Sequence, residues 1–228
     1  MIVVHTPVYH YHYMEATMAL NLPDIIYDKT NVTPIVDARS SFYRLDMYKS
    51  EEYFNNYESY VNFIKGCERI VRTNDRYNKY ISYLKKEVKL NRCQVLKNVT
   101  DEDAPIEMHH GPIFTLFDIC AIVLEYFILK KWKISTLRIA DLVLDEHMKN
   151  RIQVVMVSET IHEEIHNGNI FINYHQAWGD MASFIHKYYQ AISPEYREQI
   201  NRYIERSLLY DSNDFGVLDL NPELTSKK

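Results

Sequence analysis

Glycine and proline are scarce, 5 and 7 in 228 residues, and no Gly/Ser-rich or Pro-rich stretch interrupts the chain. That excludes modules strung on flexible linkers, and the lack of any segment repeating at a fixed period excludes a solenoid. The three cysteines, Cys67, Cys93 and Cys120, are odd in number, far apart and never in a C-x-x-C pair. Neither a disulfide framework nor a zinc ribbon is therefore expected, and a reducing, cytosolic setting fits best. No basic segment followed by an unbroken apolar core opens the chain, and the most apolar stretch, Phe114 to Leu129, is broken by Asp118 and Glu125. Export and a membrane span are not expected on those grounds. A basic surplus is missing too: the formal net charge is -5, which argues against a protein that coats nucleic acid.

The distribution of charge says more than its sum. Between Val61 and Lys97 stand Lys65, Arg69, Arg72, Arg76, Lys79, Lys85, Lys86, Lys89, Arg92 and Lys97, opposed only by Glu68, Asp75 and Glu87. Tyr77, Tyr80 and Tyr83 are interleaved there, as in proteins that stack nucleic-acid bases, although tyrosines at such spacing more often fill a core. Tyr53, Tyr57, Tyr60, Ile64, Cys67 and Val71 recur at three- and four-residue steps and predict a first amphipathic helix. A second is predicted from Asp75 to Leu90.

Before residue 48 only short apolar runs occur, broken at Pro7, Pro23 and Pro34, and short strands and loops are expected. His5, His10 and His12 alternate there with tyrosines, a pattern read as a mixed polar strand. Further along, CQVLKNVT reads as a short strand, and Ile106 to His109 as another that ends at Gly111-Pro112. Thr115 is placed to cap a mostly buried helix, and another helix is expected from Ser135 to Leu144. IQVVMVS is a run of β-branched residues expected as a buried strand, with Ser158 opening a short helix that Asn167-Gly168 closes. NIFINY reads as a last strand. MASFIHKYYQ and PEYREQINRYIERSLLY are two closing helices, and the tail after Asp211 is expected to be mobile.

Two histidine pairs carry the chemistry. His162 and His166 are four residues apart on a predicted helix, hence on one face and roughly 6 Å apart along the axis, where they can share a divalent ion. His109 and His110 end a predicted strand, on which neighbouring side chains point in different directions, so one can ligate a metal while the other faces substrate. Phosphodiester hydrolysis needs that division: a metal to stabilise charge, and a neutral imidazole to take a proton from water.

In their order, IEMHHGP and QVVMVSETIHEEIHNG resemble the two halves of the HNH (His-Me finger) endonucleases, above all the colicin-type variant with a His-His pair and a helical H-x-x-x-H. The resemblance implies an α+β fold with a ββα-metal core, a helical insertion from about Gly111 to Asn150 and flanking helices. It implies that His109, His162 and His166 hold a divalent ion (Mg, Mn, Ni or Zn), that His110 is the general base and that Gln153 orients it. Gln153 replaces the asparagine usual in the family, with Asn150 nearby, and the cysteine pairs that brace many members are absent. Three regions follow: an extension over 1–90 with a basic helical region, the core over 91–180, and C-terminal helices and tail over 181–228.

The activity so implied is metal-dependent endonucleolysis, of DNA rather than RNA. Arg69, Arg72, Arg76, Lys79, Lys85 and Lys86 would contact the nucleic acid, and His147 would be a second-shell or phosphate contact. Two other classes stay open: a non-catalytic nucleic-acid or protein-binding module on the same scaffold, and a zinc metallopeptidase. For the latter, His162-Glu163-Glu164-Ile165-His166 matches H-E-x-x-H, and His175 or His186 would be the third ligand. The Tyr- and Lys-rich, low-glycine composition also resembles that of phage-encoded proteins.

Overall fold

The computed structural model describes residues 48–209. The early histidines, the strands expected before residue 48 and the tail after Asp211 lie outside that range. After a 3₁₀ turn at Glu51–Asn55, helices α1 (Tyr57–Thr73) and α2 (Asp75–Lys86) follow almost without a break. Asn74 makes the joint: its backbone N–H closes α1 on Val71, while its side chain accepts from Arg76 N and caps α2. α2 stops four residues before the predicted Leu90. Lys89 turns the chain with φ 64°, and Leu90 N–H reaches back to Leu84 O at 2.9 Å, closing the helix end.

Strand β1 (Ile106–His110) is followed by α3 (Leu116–Leu129) and α4 (Thr136–Met148). Thr115 caps α3 as expected, in a reciprocal box with Asp118. α3 is buried along most of its length, and it packs with α1 and α4 as the centre of the core. α4 runs a turn beyond the predicted Leu144, because Val143, Leu144 and His147 continue the buried face. Next come β2 (Val154–Ser158), α5 (Glu159–His166), α6 (Met181–Tyr188) and α7 (Pro194–Leu208).

β1 and β2 pair antiparallel, with Glu107 opposite Val157, His109 opposite Val155 and His110 opposite Val154. Among the described residues this two-stranded sheet is the only one, so two predicted strands need correction. CQVLKNVT is a looped segment. Its Gln94 serves the outer edge of β2 with backbone and side chain together: Gln94 N donates to Met156 O (2.8 Å), and Gln94 Oε1 accepts from Met156 N (2.7 Å). NIFINY is likewise irregular; its apolar residues Ile170, Phe171 and Ile172 are buried as loop residues. Trp178 takes the remaining edge of β2 by bridging Val154. That close approach requires Gly179 (φ 121°), where a Cβ would stand 2.3 Å from Ile152 O.

The fully buried Glu146 carboxylate ties three segments together, accepting from Lys187 Nζ (2.5 Å), Tyr188 OH (3.1 Å) and Arg151 (3.4 Å). A buried charge so surrounded is compensated rather than orphaned. The mixed helical and antiparallel architecture agrees with the α+β class. No helix among the described residues is long and apolar enough to cross a membrane.

Candidate metal centre

Pleating sorts the residues of β1 into two sets. Glu107 and His109 leave on one side, Met108 and His110 on the other. Ser158 ends β2 and N-caps α5 with no intervening loop, so the helix folds straight back onto the sheet and packs on both strands. His162 and His166, one turn apart, then face the Glu107–His109 side.

His109, His162 and His166 converge so that one ring nitrogen from each lies within 4.8 Å of the others. His162 Nε2 and His166 Nε2 stand 3.0 Å apart. In a tetrahedral site with metal–nitrogen bonds near 2.0 Å the ligand nitrogens stand about 3.3 Å apart, so small ring rotations bring this set to bonding geometry. The His109 ring lies over Gly111, where a Cβ would approach its Nε2 to 3.1 Å. Glu107 Oε2 is 2.5 Å from His162 Nδ1.

The surroundings disfavour the protonated form of two of these rings. Burial, then the neighbouring His162 and His166, push His109 down to about 4, and burial followed by His162 also lowers His166. Both groups are therefore neutral at pH 7, with lone pairs available to an ion. Arg72 on α1, half-exposed and 3.9 Å from Glu68, is close enough to contribute to both depressions.

His110 is elsewhere. Its ring is 5% exposed, stacks parallel to Tyr77 at 6.0 Å and meets His147 Nε2 at 3.0 Å. His147 Nδ1 lies 2.8 Å from Val143 O, so Nδ1 carries the proton, His147 Nε2 accepts, and His110 donates. Burial holds His110 well below its ordinary range and His147 near 4. The expected general base is thus a core residue facing away from the histidine cluster, and this role is corrected; so is the phosphate or second-shell role of His147. Gln153 does not orient His110 either. Its Nε2 donates to Tyr174 O (3.1 Å), and its buried Oε1 has no protein partner.

The basic set divides as well. Arg69, Arg72, Lys79 and Lys86 are exposed. Arg76 is held against α4 by Asp141 (2.8 Å) and Asp145, and Lys85 Nζ donates to Ile106 O at 2.8 Å, so these two brace the fold. Tyr77 and Tyr80 are buried, and of the three interleaved tyrosines only Tyr83 presents a ring to solvent. His175 and His186 stand outside the histidine group; the third imidazole comes from a strand upstream of the helix. Glu107 was not anticipated from the sequence. Its signal is the i, i+2 spacing to His109 on a strand, which puts both on one face.

A family model described as bacteriophage G278-like virion protein matches residues 22–223. No curated protein and no solved structure matches the chain.

Proposed function

The chain belongs to the bacteriophage G278-like virion protein family, and we propose that it is a virion component whose β1–β2–α5 unit holds a divalent transition-metal ion and cleaves phosphodiester bonds in DNA. The observation that carries this reading is the convergence of His109, His162 and His166 from a strand and the helix that follows its partner strand. Three imidazoles favour zinc, nickel or a similar ion over magnesium, which prefers oxygen ligands. Such an ion supplies Lewis acidity toward a phosphodiester oxygen and lowers the pKa of water.

The residues of the chain support a phosphate-directed use of that chemistry. Arg72 adds a fixed positive charge beside the cluster, and Arg69, Lys79 and Lys86 are exposed on α1 and α2. His166 is exposed and His162 half-buried, so the cluster opens to solvent on the α5 side. His110, buried in the core against His147, takes no part.

The test is cleavage of supercoiled plasmid and single-stranded DNA by metal-stripped protein resupplied separately with Mg²⁺, Mn²⁺, Ni²⁺ and Zn²⁺, beside His162→Ala. Metal-dependent cutting lost in the variant supports the reading. The burial of His110 favours a second reading, a virion module that binds nucleic acid through the same face without turnover. Tight DNA binding with no cutting under any ion would select it.

A further inference from the structure

We propose that Glu107 is the positioning residue of the histidine centre: it takes the Nδ1 proton of His162, presents the Nε2 lone pair of that ring to the ion, and thereby sets the affinity of the site for a zinc-class cation. The proposal rests on the metal reading above and names what prepares the site for the ion.

The geometry assigns the proton. A carboxylate only accepts, so the 2.5 Å contact from Glu107 Oε2 requires His162 Nδ1 to be the donor. In the neutral ring, Nε2 is then the lone pair. Nε2 points toward His166 Nε2 at 3.0 Å, so without an ion the proton between those two atoms belongs to His166. An ion entering there replaces that proton, which leaves His166 Nε2 for its own Nδ1 or for solvent. Without Glu107, His162 is free to hold its proton on Nε2 instead, and it must then change tautomer before it can ligate. A carboxylate behind a ligating imidazole also raises its basicity and fixes the plane of its ring.

Placement makes the role specific to this carboxylate. Glu107 and His109 leave the same side of β1 two residues apart, so a single strand supplies one ligand and the brace of another, and α5 supplies the ring between them. Glu107 is itself exposed and contributes nothing to the core, so its replacement tests the site and not the fold.

The experiment uses the full-length chain. Zn²⁺ and Co²⁺ affinities are measured by calorimetry and by cobalt absorption for the wild type, Glu107→Ala and Glu107→Gln, and nitrogen–proton correlation spectra of the metal-free proteins read the His162 tautomer. The expected result is an Nδ1-protonated His162 in the wild type and mixed tautomers in Glu107→Ala, with affinity about 10- to 100-fold weaker. Glu107→Gln keeps an acceptor oxygen without the charge, and its affinity falls between the two. Glu107→Ala with wild-type affinity or an unchanged tautomer overturns the proposal while leaving the metal site standing. A wild-type chain that binds neither ion overturns the metal reading, and this proposal with it.

Discussion

His109 and His110 are consecutive residues whose rings serve different halves of the molecule: His109 packs edge-on against His162 at a centroid distance of 5.0 Å, while His110 meets His147 across a 3.0 Å Nε2–Nε2 contact inside the core. The pleat of β1 separates them, and it separates their consequences on mutation.

Replacing His110 with alanine removes a buried ring and leaves His147 Nε2 without its donor. A cavity together with a lost buried hydrogen bond costs about 2–4 kcal/mol. Urea unfolding should show that loss, while zinc affinity stays within about a factor of ten of wild type. His109→Ala should do the opposite, abolishing tight zinc binding at smaller cost to the metal-free fold. Loss of zinc binding in His110→Ala that retains its fold would contradict the division.

Zinc should stabilise the wild-type chain because the ligand set exists only when β1 and α5 are packed together. At free zinc one hundred times the dissociation constant the gain is about 2.7 kcal/mol. Differential scanning calorimetry should show the melting temperature rising with zinc for wild type and unmoved for His162→Ala; equal shifts in both would place the ion elsewhere.

Acid should destabilise the fold well above the carboxylate range. His147 is held near 4 by burial, and His110 is lowered by the same cause, against an ordinary value of 6.5. Between those limits the unfolded chain binds protons that the native chain refuses, so stability is full above pH 6.5 and falls as pH drops toward 4. For each such histidine the loss is roughly 1.4 kcal/mol per pH unit within the window. Urea midpoints at pH 7, 6 and 5 would check the sign, and a flat profile would refute it.

Arg72 and Arg76 should separate on substitution although both belong to the basic run. Arg76→Ala breaks contacts to Asp141 and Asp145 that are partly exposed, a stability cost of about 1 kcal/mol or less. Arg72→Ala should leave melting nearly unchanged but weaken DNA binding and reduce the slope of log affinity against log salt by about 0.9. Fluorescence anisotropy over a salt series measures both quantities; an unchanged slope would remove Arg72 from the interface.

Gly179→Ala should be among the most damaging single-methyl changes. Its added Cβ meets Ile152 O at 2.3 Å on a backbone with φ 121°, beside the Trp178–Val154 bridge that covers β2. A loss of about 2 kcal/mol or more is expected by chemical denaturation.

Local periodicity by itself determined a good part of this molecule. The four-residue step from His162 to His166 on a short helix, the β-branched run of β2 and the Thr115 cap are properties of a few neighbouring residues and stand as the sequence implies, while the apolar stripes hold over Tyr60–Val71 of α1 and Tyr80–Leu84 of α2, with Tyr57 exposed and Val88 beyond the helix end. Alternation on a strand likewise separates His109 from His110, but it does not say which faces the helix. Tertiary structure decided that. Tyr77 and Tyr80 on α2 and His147 on α4 build a core wall that takes the ring of His110, and α5, folding back directly from β2, takes the ring of His109. The same holds for charge: Arg76 and Lys85 look like surface cations in a basic run until α4 and β1 arrive to accept their hydrogen bonds. Two apolar segments with strand-like composition were likewise decided by tertiary contacts: CQVLKNVT meets the backbone of β2 through Gln94, and Trp178 bridges Val154 farther along the strand.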